Sequence, residues 1–428
     1  MELISTRGGA RRTDFLEAVA ANVPGDGGLF VPADLAPFPD VERLLALGWS
    51  ERSAEILARL LAPELDRAET AALAAGAFDF PVPLVRVREG RWALELFHGP
   101  SLSFKDFGVR FLARVLALEA ARAGGRRSRL VLTATSGDTG AAVAAAFHGL
   151  PGFRVAVLYP AGRISERQER QIATLGGNVR AFAVDGDFDA CQRLVRGCFA
   201  DRALAAGLGL ISANSINVAR LTAQVLYYFE AAAALARSSP GAPRPVVAVP
   251  SGNFGNLCAG LLAVRLGLPL AGLVLATNAN RTVPDYLEGG RWAPGATVAT
   301  LSNAMDVAAP NNWERVEWLF GGDLAALRAG LRWGSLDDAG TRAEIAALAA
   351  FGYRADPHGA VAAGVLEARL APGEVGVFLA TAHPAKFEAT AAGVPLPAAL
   401  AAAMARPLAA ERLADDPAAL AAALRAGR

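Results

Sequence analysis

From about residue 81 onward, the sequence alternates short β-branched runs with Ala- and Leu-rich runs of helical length. The runs that we predict as strands are 129–135, 154–160, 179–185, 245–251, 270–277 and 375–381. Strands that alternate with helices form parallel sheets with helices packed on their faces. A Pro- and Ser-rich linker at 236–245 separates two such blocks. The pattern therefore predicts an α/β fold with two open twisted sheets and flanking helices.

The first 80 residues differ from the rest of the chain. The stretch ERSAEILARLLAPEL (51–65) carries apolar residues at helical spacing, and Thr13 with Asp14 resembles an N-cap before FLEAVAAN. We therefore expect a mainly helical accessory region at 1–80. We assign 101–220 to a smaller α/β domain, and 81–100 together with 221–428 to a larger one.

Composition excludes several classes of protein. The chain is 53% hydrophobic over 428 residues with a formal net charge of +1, so it can bury large cores and has no charge excess to attract nucleic acid. Three cysteines without a CxxC pair favour a reducing compartment, and we predict the cytoplasm. Residues 246–264 carry no charge, but Pro250, Ser251 and Asn253 interrupt them. They predict a strand, a loop and a helix rather than a membrane span.

Lysine is rare in this chain. Lys105 and Lys386 are the two lysines among 42 basic residues. In HGPSLSFKDFG, Ser103 and Asp106 predict a capping-box-like helix start that places Lys105 in the first turn. A helix N-terminus disfavours an ammonium and so favours the neutral, nucleophilic amine, which arginine cannot provide. The fragment alone also fits a solvated lysine at a helix end.

Two strand-loop-helix segments have the composition of anion sites. PSGNFGN (250–256) joins a predicted strand to a predicted helix, so glycines and free helix N–H groups could surround a phosphate. In TATSGDTG (133–140), Ser136, Asp138 and Thr139 follow another predicted strand, where ligands of open α/β sheets bind. Together the two segments predict a phosphorylated cofactor and an anionic substrate.

Three more polar segments follow predicted strands or lie between them. TAHPAKF (381–387) contains Thr381 and Lys386, and this lysine fits either an anion-binding residue or a surface residue. SANSINVAR (212–220) and SNAMDVAAPNN (302–312) are rich in amides, which suit amino-acid head groups. The four histidines form no HxxxH or HExxH pair, so we expect no metal site.

Together these motifs resemble the threonine synthase family of pyridoxal-phosphate enzymes, whose fold type is shared with tryptophan synthase β and serine dehydratase. SFKDFG and SGDTG in combination are specific to this family. The resemblance extends over nearly the whole chain, through STRGG, GGLFVP, ELFHGPSLSFKDFG, LTATSGDTGAAVA, GDFDACQ, SANSINVARL, VPSGNFGN, TLSNAMDVAAPNNW and TAHPAKF. It implies pyridoxal 5'-phosphate as the cofactor and conversion of O-phospho-L-homoserine and water to L-threonine and phosphate. We expect a monomer or homodimer that binds neither nucleic acid nor membrane.

The resemblance also implies roles for individual residues. Lys105 would form the Schiff base with the cofactor, and Thr381 would face its pyridine nitrogen. The residues that would hold the cofactor phosphate are Gly252, Asn253, Phe254, Gly255 and Asn256. Our candidates for substrate binding are Ser101, Ser136, Asp138, Thr139, Asn214 and Lys386. Asp138 stands where many relatives of this fold type have an asparagine, which favours a role toward the substrate.

Three alternative functions differ in their products or adducts. A phospho-lyase acting on the same substrate would release 2-oxobutyrate. A dehydratase of free serine or threonine would not need the second anion site. A nucleotide-binding or regulatory module would form no covalent lysine adduct on borohydride reduction.

Overall fold

The computed structural model describes residues 1–9, 11–124 and 128–426. The strands are β1 (Leu3–Ser5), β2 (Phe30–Pro32), β3 (Leu84–Arg88), β4 (Arg91–Glu95), β5 (Arg129–Ala134), β6 (Phe153–Pro160), β7 (Val179–Val184), β8 (Leu210–Ser212), β9 (Val246–Pro250), β10 (Gly272–Thr277), β11 (Arg332–Ser335), β12 (Gly376–Ala380) and β13 (Ala410–Leu413).

From β5 onward, each strand is followed by one to three helices. The helices are α1 (Phe15–Ala21), α2 (Val41–Ala46), α3 (Trp49–Leu61), α4 (Arg67–Ala77), α5 (Lys105–Arg122), α6 (Asp138–Phe147), α7 (Glu166–Ala173), α8 (Phe188–Ala200), α9 (Arg202–Leu208), α10 (Val218–Ser238), α11 (Gly255–Arg265), α12 (Thr282–Gly289), α13 (Trp313–Leu319), α14 (Leu324–Gly330), α15 (Asp338–Ala350), α16 (Pro357–Arg369), α17 (Ala398–Ala405) and α18 (Pro417–Ala426). Two short 3₁₀ turns lie at Asn303–Met305 and Pro384–Lys386.

A six-stranded sheet has the strand order β11-β10-β9-β12-β4-β3. Its neighbouring strands are parallel except for the antiparallel pair β3 and β4. All residues of β9 and β12 are buried, as expected for central strands covered on both faces. The predicted strands at 245–251, 270–277 and 375–381 are confirmed here, each within two residues.

A five-stranded parallel sheet has the order β13-β7-β6-β5-β8 and contains the other three predicted strands. The C-terminal segment departs from the predicted division of the chain. We placed 221–428 with the larger block, but β13 pairs with β7, and α18 packs Leu420 and Leu424 into the core of this five-stranded sheet. The Ala-rich tail carries no β-branched signal, so its edge strand depends on the partner strand that it meets.

The N-terminal region is mainly helical, as predicted, with a small antiparallel pair of β1 and β2. Asp14 occupies the N-cap of α1, but within the described residues its side chain makes no capping bond. Instead the carboxylate of Glu64 accepts from the amides of Phe15 and Leu16, each at 2.8 Å. The helix is therefore capped by a carboxylate that lies about 50 residues away in the sequence.

The long helix α10 is buried along almost its entire length and packs against α5 and α11. A Cβ at Gly108 of α5 would lie 3.2 Å from the carbonyl oxygen of Arg220, so α5 and α10 approach closely near their N-terminal ends. This packing brings the first turns of the two helices together. Among residues 1–9, 11–124 and 128–426, no helix is long and apolar enough to cross a membrane.

Candidate active site

The segments that carry the two lysines are joined through their backbones. The amide of Phe104 donates to the carbonyl of Thr381 at 2.8 Å, and the amide of His383 donates to the carbonyl of Leu102 at 3.0 Å. These bonds pair the residues before α5 with the residues after β12. Lys105 and Lys386 therefore enter the same site although 281 positions separate them in the sequence.

The start of α5 differs in detail from the predicted capping box. Phe104 is the N-cap, and among the described residues no side chain caps it. Ser103 instead shares a 3.0 Å hydrogen bond with the hydroxyl of Ser101, and Asp106 Oδ2 accepts from the amide of Ser101 at 2.9 Å. Both side chains stabilise the preceding turn. Lys105 nevertheless lies in the first turn of the helix, as predicted.

Lys105 is largely buried, with 11% of its side chain exposed and its Nζ 3.7 Å from Asp138 Oδ2. Burial lowers the pKa of Lys105 to about 8; Asp138 opposes this effect, and the charges of Lys386 and Arg220 add to it. The neutral amine is thus accessible near neutral pH. We predicted that the helix N-terminus favours the neutral amine, whereas burial is the largest cause of the lowered pKa of Lys105.

Lys386 is fully buried, which excludes the alternative of a surface residue. Its Nζ donates to Asp138 Oδ1 at 2.7 Å and to the carbonyl of Ser101 at 2.8 Å. Gln168 of α7 donates to the same carboxylate oxygen at 3.0 Å. Burial alone would raise the pKa of Asp138, but the ammonium groups of Lys386 and Lys105 hold it well below its usual value. Asp138 is therefore the shared counter-ion of both lysines.

The turn before α6 is shaped by one glycine. Gly137 has a φ of 135°, and a Cβ there would lie 2.4 Å from the amide carbon of Gln168. The hydroxyl of Thr135 accepts from the Gly137 amide at 2.9 Å and so closes the turn. Ser136 and Thr139 flank this turn and the helix start and are half-buried.

The predicted phosphate loop joins β9 to α11. Phe254 has φ 59° and ψ 5°, a left-handed conformation that ends the loop directly before the helix. Asn253 Nδ2 donates to the hydroxyl of Ser215 at 2.6 Å, and its Oδ1 accepts from the amide of Asn311 at 2.6 Å. The two amide-rich segments that the sequence analysis singled out therefore converge on this loop.

The residues at the end of this loop suit the phosphate of pyridoxal 5'-phosphate. Asn256 Oδ1 accepts from the hydroxyls of Tyr227 and Tyr228 at 2.6 and 2.8 Å, which orients the amide. Its Nδ2 is buried and has no hydrogen-bond partner among the residues that the structure describes. A buried donor at a helix N-terminus fits an anion. The backbone of Gly255 belongs to the same first turn.

Two polar residues at the site were not predicted as functional. Gln168, described above, holds Asp138. Arg220 is buried at the start of α10, donates through Nη1 to the carbonyl of Ala213 at 2.9 Å, and has an Nε without a partner in the described part of the chain. An arginine within the otherwise apolar run VARLTA is the signal that could have identified it. Asn214 lies nearby and is half-buried.

Comparison with known proteins identifies the family to which this chain belongs. Residues 80–381 match the family described as pyridoxal-phosphate dependent enzyme, and residues 2–78 match the family described as threonine synthase N terminus. Threonine synthase of Haemophilus influenzae is 51% identical over 91% of this chain and 90% of its own. The chain belongs to the threonine synthase family.

Solved threonine synthase structures share the whole fold. The Escherichia coli enzyme superposes with a TM-score of 0.93 at 46% identity, covering 100% of both chains. Threonine synthase from Brucella melitensis, solved with bound PLP, has a TM-score of 0.93 at 33% identity and covers 100% of this chain and 99% of that chain. Membership of the threonine synthase family confirms the predicted fold class, the cofactor, and a lyase that forms threonine from O-phosphohomoserine.

Proposed function

We propose that this chain converts O-phospho-L-homoserine and water to L-threonine and phosphate at the site formed by Lys105, Asp138, Lys386 and the loop after β9. The observation that carries this proposal is the buried amine of Lys105, whose pKa burial lowers to about 8 and whose Nζ lies 3.7 Å from Asp138. An amine in this state can attach a carbonyl compound and later move protons. We expect the reaction to take place in the cytoplasm, in a monomer or homodimer.

The residues that would hold the cofactor come from three elements. Lys105 would carry it, residues 252–256 would bind its phosphate, and Thr381 would face its ring nitrogen. Thr381 is buried at the end of β12, directly paired with the residue before Lys105. When bound, pyridoxal 5'-phosphate supplies an electron sink for negative charge at the substrate's Cα and Cβ.

Lys105 is the group that we assign to proton transfer. A general base works best when its pKa lies near the working pH, and a pKa of about 8 meets this condition. Its Nζ would accept one proton from Cα and one from Cβ in turn, and would return one to Cγ once phosphate has left and one to Cα after water has added its hydroxyl at Cβ. The proton that water gives up would leave with the phosphate. Asp138 lies beside this Nζ and stabilises the ammonium form during each transfer.

The substrate phosphate requires positive charge and donors in a dry site. Arg220 meets this need, because its guanidinium is buried and has a free Nε among the described residues. We also predict hydroxyl and amide contacts to the substrate from Ser136, Thr139 and Asn214. Lys386 adds a fixed positive charge, although its ammonium already has Asp138 and Ser101 as partners. Together these groups would stabilise the phosphate as it leaves Cγ.

The lysine assignment is tested with Lys105→Arg, which keeps a positive charge but cannot attach a carbonyl compound. Wild type and variant are incubated with pyridoxal phosphate, reduced with borohydride and digested for mass spectrometry. We expect a reduced adduct on Lys105 in the wild type and loss of the visible absorbance band in the variant. Circular dichroism and thermal unfolding check that the variant folds. A band that persists in folded variant would overturn the assignment.

The reaction itself is tested by its product. Purified protein with pyridoxal phosphate is given O-phospho-L-homoserine, and the products are separated and identified. Threonine with one equivalent of phosphate is the expected result. Release of 2-oxobutyrate would instead favour the phospho-lyase, and turnover of free serine without phosphorylated substrate would favour the dehydratase.

A further inference from the structure

A buried histidine-aspartate pair lies at the N-terminus of α16, outside the residues assigned to the reaction. His358 is 3% exposed, and Asp356 is buried as the N-cap of the helix. Asp356 Oδ1 lies 2.7 Å from His358 Nδ1 and also accepts from the His358 amide at 2.9 Å. Burying two ionisable groups is costly unless they make specific bonds. This pair therefore needs an explanation beyond core packing.

The bonding pattern determines which nitrogen of His358 carries the proton. Asp356 offers an acceptor to Nδ1, whereas the amide of Ala304 donates to Nε2 at 3.2 Å. An imidazole that accepts at Nε2 has its proton on Nδ1 and is neutral. His358 thus links α16 to the 3₁₀ turn at Asn303–Met305. Because Asp356 holds the proton on Nδ1, Nε2 acts as the acceptor in this link.

The turn that His358 holds lies against the predicted phosphate loop. A Cβ at Gly252 would be 2.6 Å from Met305 Cα and 3.2 Å from the carbonyl oxygen of Ala304. The two backbones are therefore in close contact, and a shift of the turn would displace the loop. Glycine is required at 252 because of this approach.

The other end of the turn is anchored independently. Asp306 Oδ1 accepts from Thr300 Oγ1 at 2.7 Å and from Asn278 Nδ2 at 2.8 Å. The turn is thus held between Asp306 on one side and His358 on the other. Since these hydrogen bonds of Asp306 do not include His358, removal of the histidine acceptor breaks the hydrogen bond at one end of the turn and leaves those at the other end in place.

We propose that His358 is a positioning residue: with its proton held on Nδ1 by Asp356, it fixes the turn 303–305 against Gly252 and so preserves the loop shape that binds the cofactor phosphate. This inference rests on the proposed function, since it assumes that residues 252–256 bind that phosphate. His358 itself touches neither cofactor nor substrate in this assignment.

Two variants at this position distinguish loss of the Nε2 hydrogen-bond acceptor from loss of the imidazole ring. His358→Gln can place an amide oxygen near the position of Nε2, whereas His358→Asn reaches only as far as Nδ1. Apoenzyme of each is titrated with pyridoxal phosphate, and the dissociation constant and the ³¹P resonance of the bound phosphate are measured. We expect about tenfold weaker binding and a displaced resonance for Asn, and less than about threefold weaker binding for Gln. His148→Asn, at an exposed position, is the matched control and should bind as wild type.

Several outcomes would overturn the inference. Wild-type affinity in folded His358→Asn would do so, as would an equal loss in both variants with equal apoenzyme melting temperatures. If neither variant folds, ¹⁵N spectra of the four histidines in the wild type decide the matter. A neutral His358 with its proton on Nε2 would refute the bonding pattern. Failure of the wild type to bind pyridoxal phosphate would instead refute the proposed function.

Discussion

The charge balance around Lys105 makes a prediction with a definite sign. Asp138→Asn removes the one carboxylate that lies within 4 Å of Lys105 Nζ in the described chain, while changing the side chain's size very little. Asp138 raises the pKa of Lys105, whereas Lys386 and Arg220 lower it. The variant should therefore hold the amine of Lys105 more strongly in its neutral form.

The size of this effect follows from the separation of 3.7 Å between the two charges. At an effective dielectric constant of about 20, Coulomb's law gives roughly 4 kcal/mol for such a pair. Relaxation and water entry reduce this value, so we expect the proton affinity of Lys105 to fall by a factor of about 10 to 1000.

The assay is the rate at which apoenzyme attaches pyridoxal phosphate, followed by absorbance over a range of pH. Attachment needs the neutral amine, so the wild-type rate should be half-maximal at a pH of about 8. The midpoint of Asp138→Asn should lie at least about one pH unit lower. Asp189→Asn, an exposed carboxylate on α8, is the control and should leave the midpoint unchanged. An unchanged or higher midpoint in Asp138→Asn would refute the reasoning.

Three further predictions concern cofactor affinity and stability. Gly252→Ala puts a methyl group 2.6 Å from Met305 Cα and should weaken pyridoxal phosphate binding about tenfold or more in a titration, whereas Gly289→Ala, which meets no described atom within 4 Å, should not. Lys386→Met leaves the Asp138 carboxylate without its nearest cation and should lower the apoenzyme's free energy of unfolding in urea by about 3 kcal/mol or more; no change would contradict the buried pair. Folding lowers the pKa of Lys105 from 10.5 to about 8, so the unfolded chain binds that proton more tightly. This costs about 3 kcal/mol below pH 8, a cost that vanishes as the pH rises to about 10.5. Apoenzyme of Lys105→Met should therefore be more stable than wild type at neutral pH, with a difference that shrinks toward alkaline pH; a constant difference would refute the assignment.

The strands that the sequence revealed are those buried on both faces. β9 is a continuous apolar run, and β6 is one after its second residue, Arg154, so their sequences alone identify them. β3, with the sequence LVRVR, and β13, with AERL, carry charged residues, and both lie at sheet edges. The sequence of β13 fits a loop or a helix equally well, because an edge strand takes its conformation from the partner that it pairs with.

The site residues likewise divide into those that local motifs predict and those that only the tertiary structure reveals. Local motifs predicted Lys105, the turn at Asp138 and the loop at 252–256 as parts of the site. The latter two each join a strand end, a glycine and a helix start, and Lys105 begins a helix. The partner of Lys386 could not be found this way, because Asp138 lies 248 positions away in the sequence. Arg220 was missed although it interrupts an apolar run, because its place beside Lys105 is visible only in the tertiary structure.

The sequence by itself therefore determined which functional groups this protein has: two primary amines in an arginine-rich chain, and glycines at the turns before helices. Backbone preferences and side-chain chemistry are local properties, so short motifs carry them. The tertiary structure decided the state of those groups. The pKa of Lys105 and the bonding of Lys386 depend on removal from water and on charges brought together from distant segments. Burial and electrostatic interactions depend on groups that are far apart in the sequence, so no local sequence pattern determines this pKa or this bonding.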